Sequence, residues 1–181
     1  MTSMAQHANK TTPGAGVWLI AVIVVAAVGW AAFTGFDRIA GGEDRVQWIM
    51  DVKQGAAQAH QSGKPQLVYF TASWCVPCHD LKRFVFSDET LAELINTQFV
   101  PVKVDMTFAD AVPAPDPAMQ RRNNALAVQL GVTGYPTLIV RSPAEKVLSH
   151  RPGPVPKALM YDWLTQIIAE HGGGDAVAEE P

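Results

Sequence analysis

Two kinds of apolar pattern divide the chain. Residues 17–33, VWLIAVIVVAAVGWAAF, form an almost unbroken apolar run, and no charged residue occurs between Thr11 and Phe36. Trp18 and Trp30 stand near its ends, where interfacial aromatics anchor a membrane-spanning helix, and the run is at the short end of the usual spanning length. A cleaved signal peptide fits less well. The run exceeds the roughly 7–15 apolar residues of such peptides, Lys10 is the sole fixed side-chain charge ahead of it, and no clean A-x-A site follows. Lys10 before the span and Arg38 and Arg45 after it leave its orientation undecided by charge.

Beyond residue 36 the apolar residues come in short runs and helical stripes. Leu67-Val68-Tyr69-Phe70 reads as a buried strand, launched by Ser62-Gly63-Lys64-Pro65. Phe99–Asp105 is a second strand, and Pro101 within it argues for an edge or strand-start position. Leu138–Arg141 is a third strand, with Lys146–His150 as hairpin partner across the turn Ser142–Glu145. The spacing predicts helices over Asp44–Ser62 with Trp48, Ile49 and Val52 inward, after Cys78 through Leu81, Phe84 and Val85, and from an N-cap at Ser87 or Asp88 through Leu91, Leu94 and Ile95. Asn123–Leu130 is a further helix, closed by Gly131, and Lys157–Glu170 is a last one with Leu159, Trp163, Leu164 and Ile167 on its apolar side. Met106–Arg122, with Pro113, Pro115 and Pro117, is expected to be a long loop.

This order predicts an α/β fold, a central mixed sheet flanked by helices and preceded by one transmembrane helix. The chemistry of such sheets sits at the carboxyl ends of the parallel strands, which places the turn after Phe70 and the loop after Asp105 on one rim. The expected organisation is a tail (1–16), an anchor (17–36), a linker (37–44), one domain (45–170) and a disordered acidic tail (171–181). A chain of 181 residues, 48% hydrophobic, supports one ordinary core. A net charge of −3 with scattered Lys and Arg gives no footprint for nucleic acid.

Both cysteines of the chain, Cys75 and Cys78, lie directly after the first strand. Residues three apart share a helix face, so the pair can be a dithiol or a disulfide with little backbone movement. Cys75 at the helix N-terminus would have its thiolate stabilised by unpaired N–H groups, making it the nucleophile; Cys78, one turn in, would resolve. Pro77 suits a first turn. Three other readings use the same residues. Cys75-Val76-Pro77-Cys78-His79 also matches the c-type haem signature, which would make an electron carrier. A zinc half-site is conceivable, but no second cysteine pair exists and the other histidines lack ligand spacing. A non-catalytic client-binding module would have no use for an exposed low-pKa thiol.

Trp74-Cys75-Val76-Pro77-Cys78 after a buried strand, with Gly134-Tyr135-Pro136-Thr137 about sixty residues later, resembles the thioredoxin superfamily. Gly63-Lys64-Pro65 and Phe86-Ser87-Asp88 extend the likeness to the carboxy-terminal domain of thiol:disulfide interchange protein DsbD and its relatives, over roughly residues 45–170. The resemblance implies a thioredoxin-like fold and a thiol–disulfide oxidoreductase acting as a reductant on protein disulfides. It further implies a Cys75–Cys78 redox disulfide, a cis Tyr135–Pro136 bond, substrate contacts from Trp74, Tyr135 and Pro136, and no metal or cofactor. The eight-helix electron-conducting part of DsbD has no counterpart, so electrons would come from a separate protein, with the catalytic domain tethered on the periplasmic or extracytoplasmic side. Two positions depart from the pattern: Tyr69 and Lys82 stand where relatives often carry carboxylates. Proton movement at Cys78 would then use water or Lys103, which is either a buried functional lysine or a sheet-edge residue. His79 is either a pKa-tuning neighbour or a plain surface histidine; Tyr69 is more a core residue than a catalytic one.

Overall fold

The short apolar runs become neighbouring strands of one sheet. The computed structural model describes residues 16, 19–20, 22–30, 42–107 and 116–171, in two units, Met1–Ala40 and Gly41–Pro181. The described residues of the first unit are helical and exposed. Among the described residues no helix is long and apolar enough to cross a membrane. Residues 17, 18, 21 and 31–36 of the expected anchor lie outside the described residues, as do 1–15, 37–41 and 172–181.

In the second unit the elements run α1 (Val52–Ser62), β1 (Gln66–Thr71), α2 (Val76–Asp80), a π-helical turn (Leu81–Val85), α3 (Glu89–Gln98), β2 (Val100–Asp105), α4 (Pro117–Gln129), β3 (Thr137–Arg141), β4 (Val147–Pro152) and α5 (Lys157–His171). The sheet order is β2-β1-β3-β4, with β1 parallel to β2 and the other pairs antiparallel, the mixed sheet expected. All six residues of β1 are buried, as befits a central strand covered on both faces. Its Leu67, Val68 and Phe70 join Phe86, Ile95, Val102, Val104, Leu138, Ile139, Met160 and Leu164 in the core. Pro101 lies on β2, the outer strand, where its missing N–H costs no ladder bond within the sheet.

Three expectations need correction. Asp44–Ser62 is not one helix. Helix α1 starts at Val52, because the Asp51 carboxylate accepts from the Lys53 and Gln54 amides and caps it there. Residues 42–50 instead form an extended strap that hydrogen-bonds outward: Gly42 N–H to the Arg83 carbonyl, Arg45 N–H to Phe86, and Ile49 to both Pro101 and Lys103 beside β2. Trp48 and Ile49 thus pack against the core from a strap, not a helix. The loop after β2 is also shorter than expected. Asp116 caps α4 through the Ala118 and Met119 amides and Pro117 opens it, so the third proline marks a helix start; residues 108–115 lie outside the described residues. On α5 the buried stripe is Met160, Trp163, Leu164 and Ile167, and Leu159 is exposed.

Two details hold the helices to the rest of the domain. Asp88 caps α3 through the Leu91 amide and also accepts from Lys157 Nζ at 2.7 Å, joining α3 to α5. Gly55 of α1 approaches β2 so closely that a Cβ there would lie 2.3 Å from Val102 Cγ2.

Candidate active site

The local sequence explains how the cysteines are presented. After Thr71 the chain turns through Ala72, whose carbonyl accepts from the Cys75 N–H at 3.1 Å. Cys75 then takes an extended conformation as the N-cap of α2, and its Sγ accepts from the Cys78 N–H at 3.3 Å. The same amide lies 3.1 Å from the Cys75 carbonyl. Pro77 occupies the first turn, as anticipated. Cys75 and Cys78 form a disulfide with Cα atoms 5.2 Å apart, and each is 3% exposed.

The surroundings of the two sulfurs differ. Around Cys75 the flanking side chains are apolar and open: Trp74 is 51% and Val76 68% exposed. The Trp74 ring meets Tyr135 edge-on with centroids 5.7 Å apart, so the two widely separated motifs form one rim. The Tyr135–Pro136 bond is cis, as anticipated. That loop is pinned by Thr137 Oγ1 donating to the Gly134 carbonyl at 2.8 Å and by the Pro136 carbonyl accepting from Gly153 N–H at 2.8 Å. Partial burial pushes the Tyr135 phenol above its ordinary value.

Cys78 lines a cleft of about 210 Å³ together with Tyr69, Thr71, Lys82, Lys103 and Asp105. Tyr69 is buried and its hydroxyl donates to the Cys78 carbonyl at 3.3 Å; burial pushes its pKa up to about 12. Its ring packs against Trp48 and Phe86 at 5.4 and 5.1 Å, and Trp48 Nε1 donates to Asp44 at 2.9 Å. Tyr69 is therefore both core and a direct support of the cysteine helix. Lys103, half-buried on β2, stands opposite Tyr69 in the strand register. His79 is exposed, and its Nε2 lies 2.7 Å from the Ser73 carbonyl, tying the helix back to the turn.

Sequence reasoning missed Asp105 and Thr107. Asp105 Oδ1 accepts from the Thr107 N–H at 2.9 Å and from the Thr107 hydroxyl, while the Ser73 N–H donates to Thr107 Oγ1 at 3.0 Å. The end of β2 is thus bonded to the cysteine turn, as the rim argument required. The available signal was the alternation Val102-Lys103-Val104-Asp105, which puts Lys103 and Asp105 on one face. Among the described residues no three His, Cys, Asp or Glu side chains are grouped to hold a metal ion.

The sequence model of the thioredoxin-like domain family matches residues 52–168. The chain belongs to that family. It carries the redox-type cysteine pair of the family's disulfide oxidoreductases. The thiol:disulfide interchange protein DsbD of Tatumella citrea is 30% identical over 129 residues, covering 68% of this chain and 20% of that protein. A match to DsbD of Vibrio vulnificus is 32% identical and covers 35% of this chain and 10% of the relative, so the chain corresponds to a minor part of these proteins. Two solved structures share the fold. A thioredoxin from Thermus thermophilus superposes with a TM-score of 0.56 at 23% identity, covering 75% of this chain and 98% of that one. The reduced carboxy-terminal domain of Neisseria meningitidis DsbD gives 0.51 at 19% identity, covering 64% and 92%.

Proposed function

We propose that the domain is a thiol–disulfide oxidoreductase that reduces protein disulfides, receives its electrons from a separate protein, and is held at a membrane by residues 17–36. The observation that carries the exchange chemistry is the Cys75–Cys78 disulfide at a helix N-terminus beside the Trp74–Tyr135 rim. In the reduced protein the Cys75 thiolate attacks a client disulfide, aided by the N–H groups of the first turn. Trp74, Tyr135 and Pro136 offer an apolar and backbone surface for an extended client segment. Cys78 then displaces the client from Cys75. The reducing direction and an extracytoplasmic location follow from the DsbD-like resemblance, and the tether from the charge-free apolar run.

The purified full chain is expected to catalyse insulin reduction with dithiothreitol. A folded, haem-free protein without activity would remove this reading; haem attached at Cys75 and Cys78 would favour the electron-carrier alternative, which needs both sulfurs that here bond each other. A reduction potential nearer about −270 mV than about −120 mV would support the reducing direction. Retention in the membrane pellet after alkaline extraction, lost on deleting residues 17–36, tests the tether.

A further inference from the structure

Exchange through Cys78 requires that its thiol lose a proton while buried, and the cleft it lines supplies a short set of polar groups. In the register of β1 and β2, Tyr69 stands opposite Lys103 and Thr71 opposite Asp105. With side chains alternating along each strand, these four share the face toward Cys78. We propose that Asp105 is the proton acceptor for the Cys78 thiol, held in place by Thr107. This inference rests on the exchange chemistry proposed above and names the group that completes it.

The assignment follows from what each lining group can do. A lysine ammonium donates and accepts nothing, which removes Lys82 from the helix side and Lys103 from β2. The Tyr69 hydroxyl is committed to the Cys78 carbonyl, and with a pKa about 12 it is neutral at neutral pH and no base. Glu43 and Asp44 line a neighbouring pocket with His79 and Lys82, not the Cys78 cleft, and both Asp44 oxygens are engaged, Oδ1 by the Val46 N–H and Oδ2 by Trp48 Nε1. His79 also lines the cleft; it is exposed, and its Nε2–H donates to the Ser73 carbonyl, so Nδ1 is the rival acceptor that the test below separates from Asp105. From α4 the neutral Asn123 reaches this strand end, its Nδ2 donating to the Asp105 backbone carbonyl at 2.8 Å. Asp105 is half-buried, and its hydrogen bonds from Thr107 both fall on Oδ1, leaving Oδ2 to take a proton. The Lys82 and Lys103 charges beside it favour the thiolate that results.

The step balances without any added reagent. In the Cys75–client mixed disulfide, the Cys78 S–H proton passes to Asp105, directly or through one water. The Cys78 sulfur then bonds to Cys75 Sγ, the Cys75–client S–S bond breaks, and its electron pair leaves on the client sulfur, which is then protonated. Two electrons have moved from the dithiol to the client.

The reduced full chain, mixed with dithiobisnitrobenzoate, releases one aromatic thiolate when Cys75 attacks and a second when Cys78 resolves, so the two steps are read separately by absorbance. Asp105→Asn, which keeps a partner for the Thr107 hydroxyl, is expected to leave the first phase unchanged. It should slow the second about 100-fold at neutral pH and flatten its acid-side pH dependence. Asp105→Glu is expected to restore most of the rate and the pH dependence, and His79→Gln to keep the acid-side pH dependence of the second phase. A second phase unaffected in Asp105→Asn overturns the assignment, as does equal slowing of both phases, no rescue by Glu, or transfer of the effect to His79→Gln. A wild-type chain that releases no second thiolate would overturn the exchange chemistry itself.

Discussion

The two sulfurs of one disulfide sit in differently built surroundings. The Cys75 side is made of backbone and open apolar surface: an N-cap, first-turn amides, and the exposed Trp74 and Val76 beside Tyr135. The Cys78 side is made of side chains from three elements, Tyr69 of β1, Lys103 and Asp105 of β2, and Lys82 after α2. A helix N-terminus acts on any thiolate placed there, whatever the neighbouring side chains. The cleft side depends on which side chains its elements carry, here a phenol, two lysines and a carboxylate. In the proposed exchange chemistry, Cys75 would thus draw on backbone and Cys78 on the side chains around it.

The largest effects should separate the two sulfurs. Cys75→Ser and Cys78→Ser are each expected to reduce insulin turnover to the uncatalysed level, but only Cys78→Ser should accumulate a client mixed disulfide on a non-reducing gel. Accumulation in Cys75→Ser instead would reverse the roles. The rim comes next. Trp74→Ala removes an exposed aromatic from the client side, and about a 10-fold rise in KM for a protein disulfide is expected, matching the 1–2 kcal/mol of an interface aromatic. The rate with a small aromatic disulfide should hardly change. Equal loss with both substrates would make Trp74 a support of the cysteine turn instead of a client contact.

How much of this was legible in the chain depends on which kind of signal each feature leaves. The cysteine pair, the strand before it and the cis Tyr135–Pro136 loop are contiguous motifs, and Asp88, Pro77 and Pro101 each took the place their local chemistry demands. Contacts between distant segments leave no such mark. The helical spacing of Trp48 and Ile49 was satisfied equally by a strap that packs Trp48 on Tyr69 and lines Ile49 along β2, and the Asp51 cap decided between them. Pro117 looked like one proline of a loop until Asp116 made it the first residue of a helix. Asp105 was a strand end in sequence, and only the β1–β2 register put it on the face of Cys78.

On the cleft side, Tyr69→Phe leaves the buried Cys78 carbonyl without its hydroxyl donor, which should cost about 1–2 kcal/mol in chemical denaturation. The pH dependence isolates the same group. Its pKa is about 12 in the fold against 10.0 when unperturbed, so the neutral form is favoured by folding. The corresponding stability is fully present below about pH 10 and lost as pH rises toward 12. Wild type is expected to lose roughly 2 kcal/mol more than Tyr69→Phe across that window. Parallel curves for the two proteins would show that the phenol is not buried against Cys78.

The smallest effect belongs to a site that touches neither sulfur and so calibrates the rest. Asp88 caps α3 and binds Lys157 of α5, and the Lys157 hydrogen bond, followed by the Leu91 amide, holds its carboxyl below the usual value of 3.8. A depressed folded-state pKa means that this stability is present above about pH 3.8 and fades as pH falls below it. Asp88→Ala should cost about 1 kcal/mol at neutral pH, mostly the cap, because the ion pair is partly exposed. The cost should shrink in acid. Both phases of thiol release should keep their wild-type rates, since neither the rim nor the cleft has been altered. A change in the second phase would show that α3 transmits strain to Cys78 through Phe86 and the π-helical turn, and the rim and the cleft would then not be independently built.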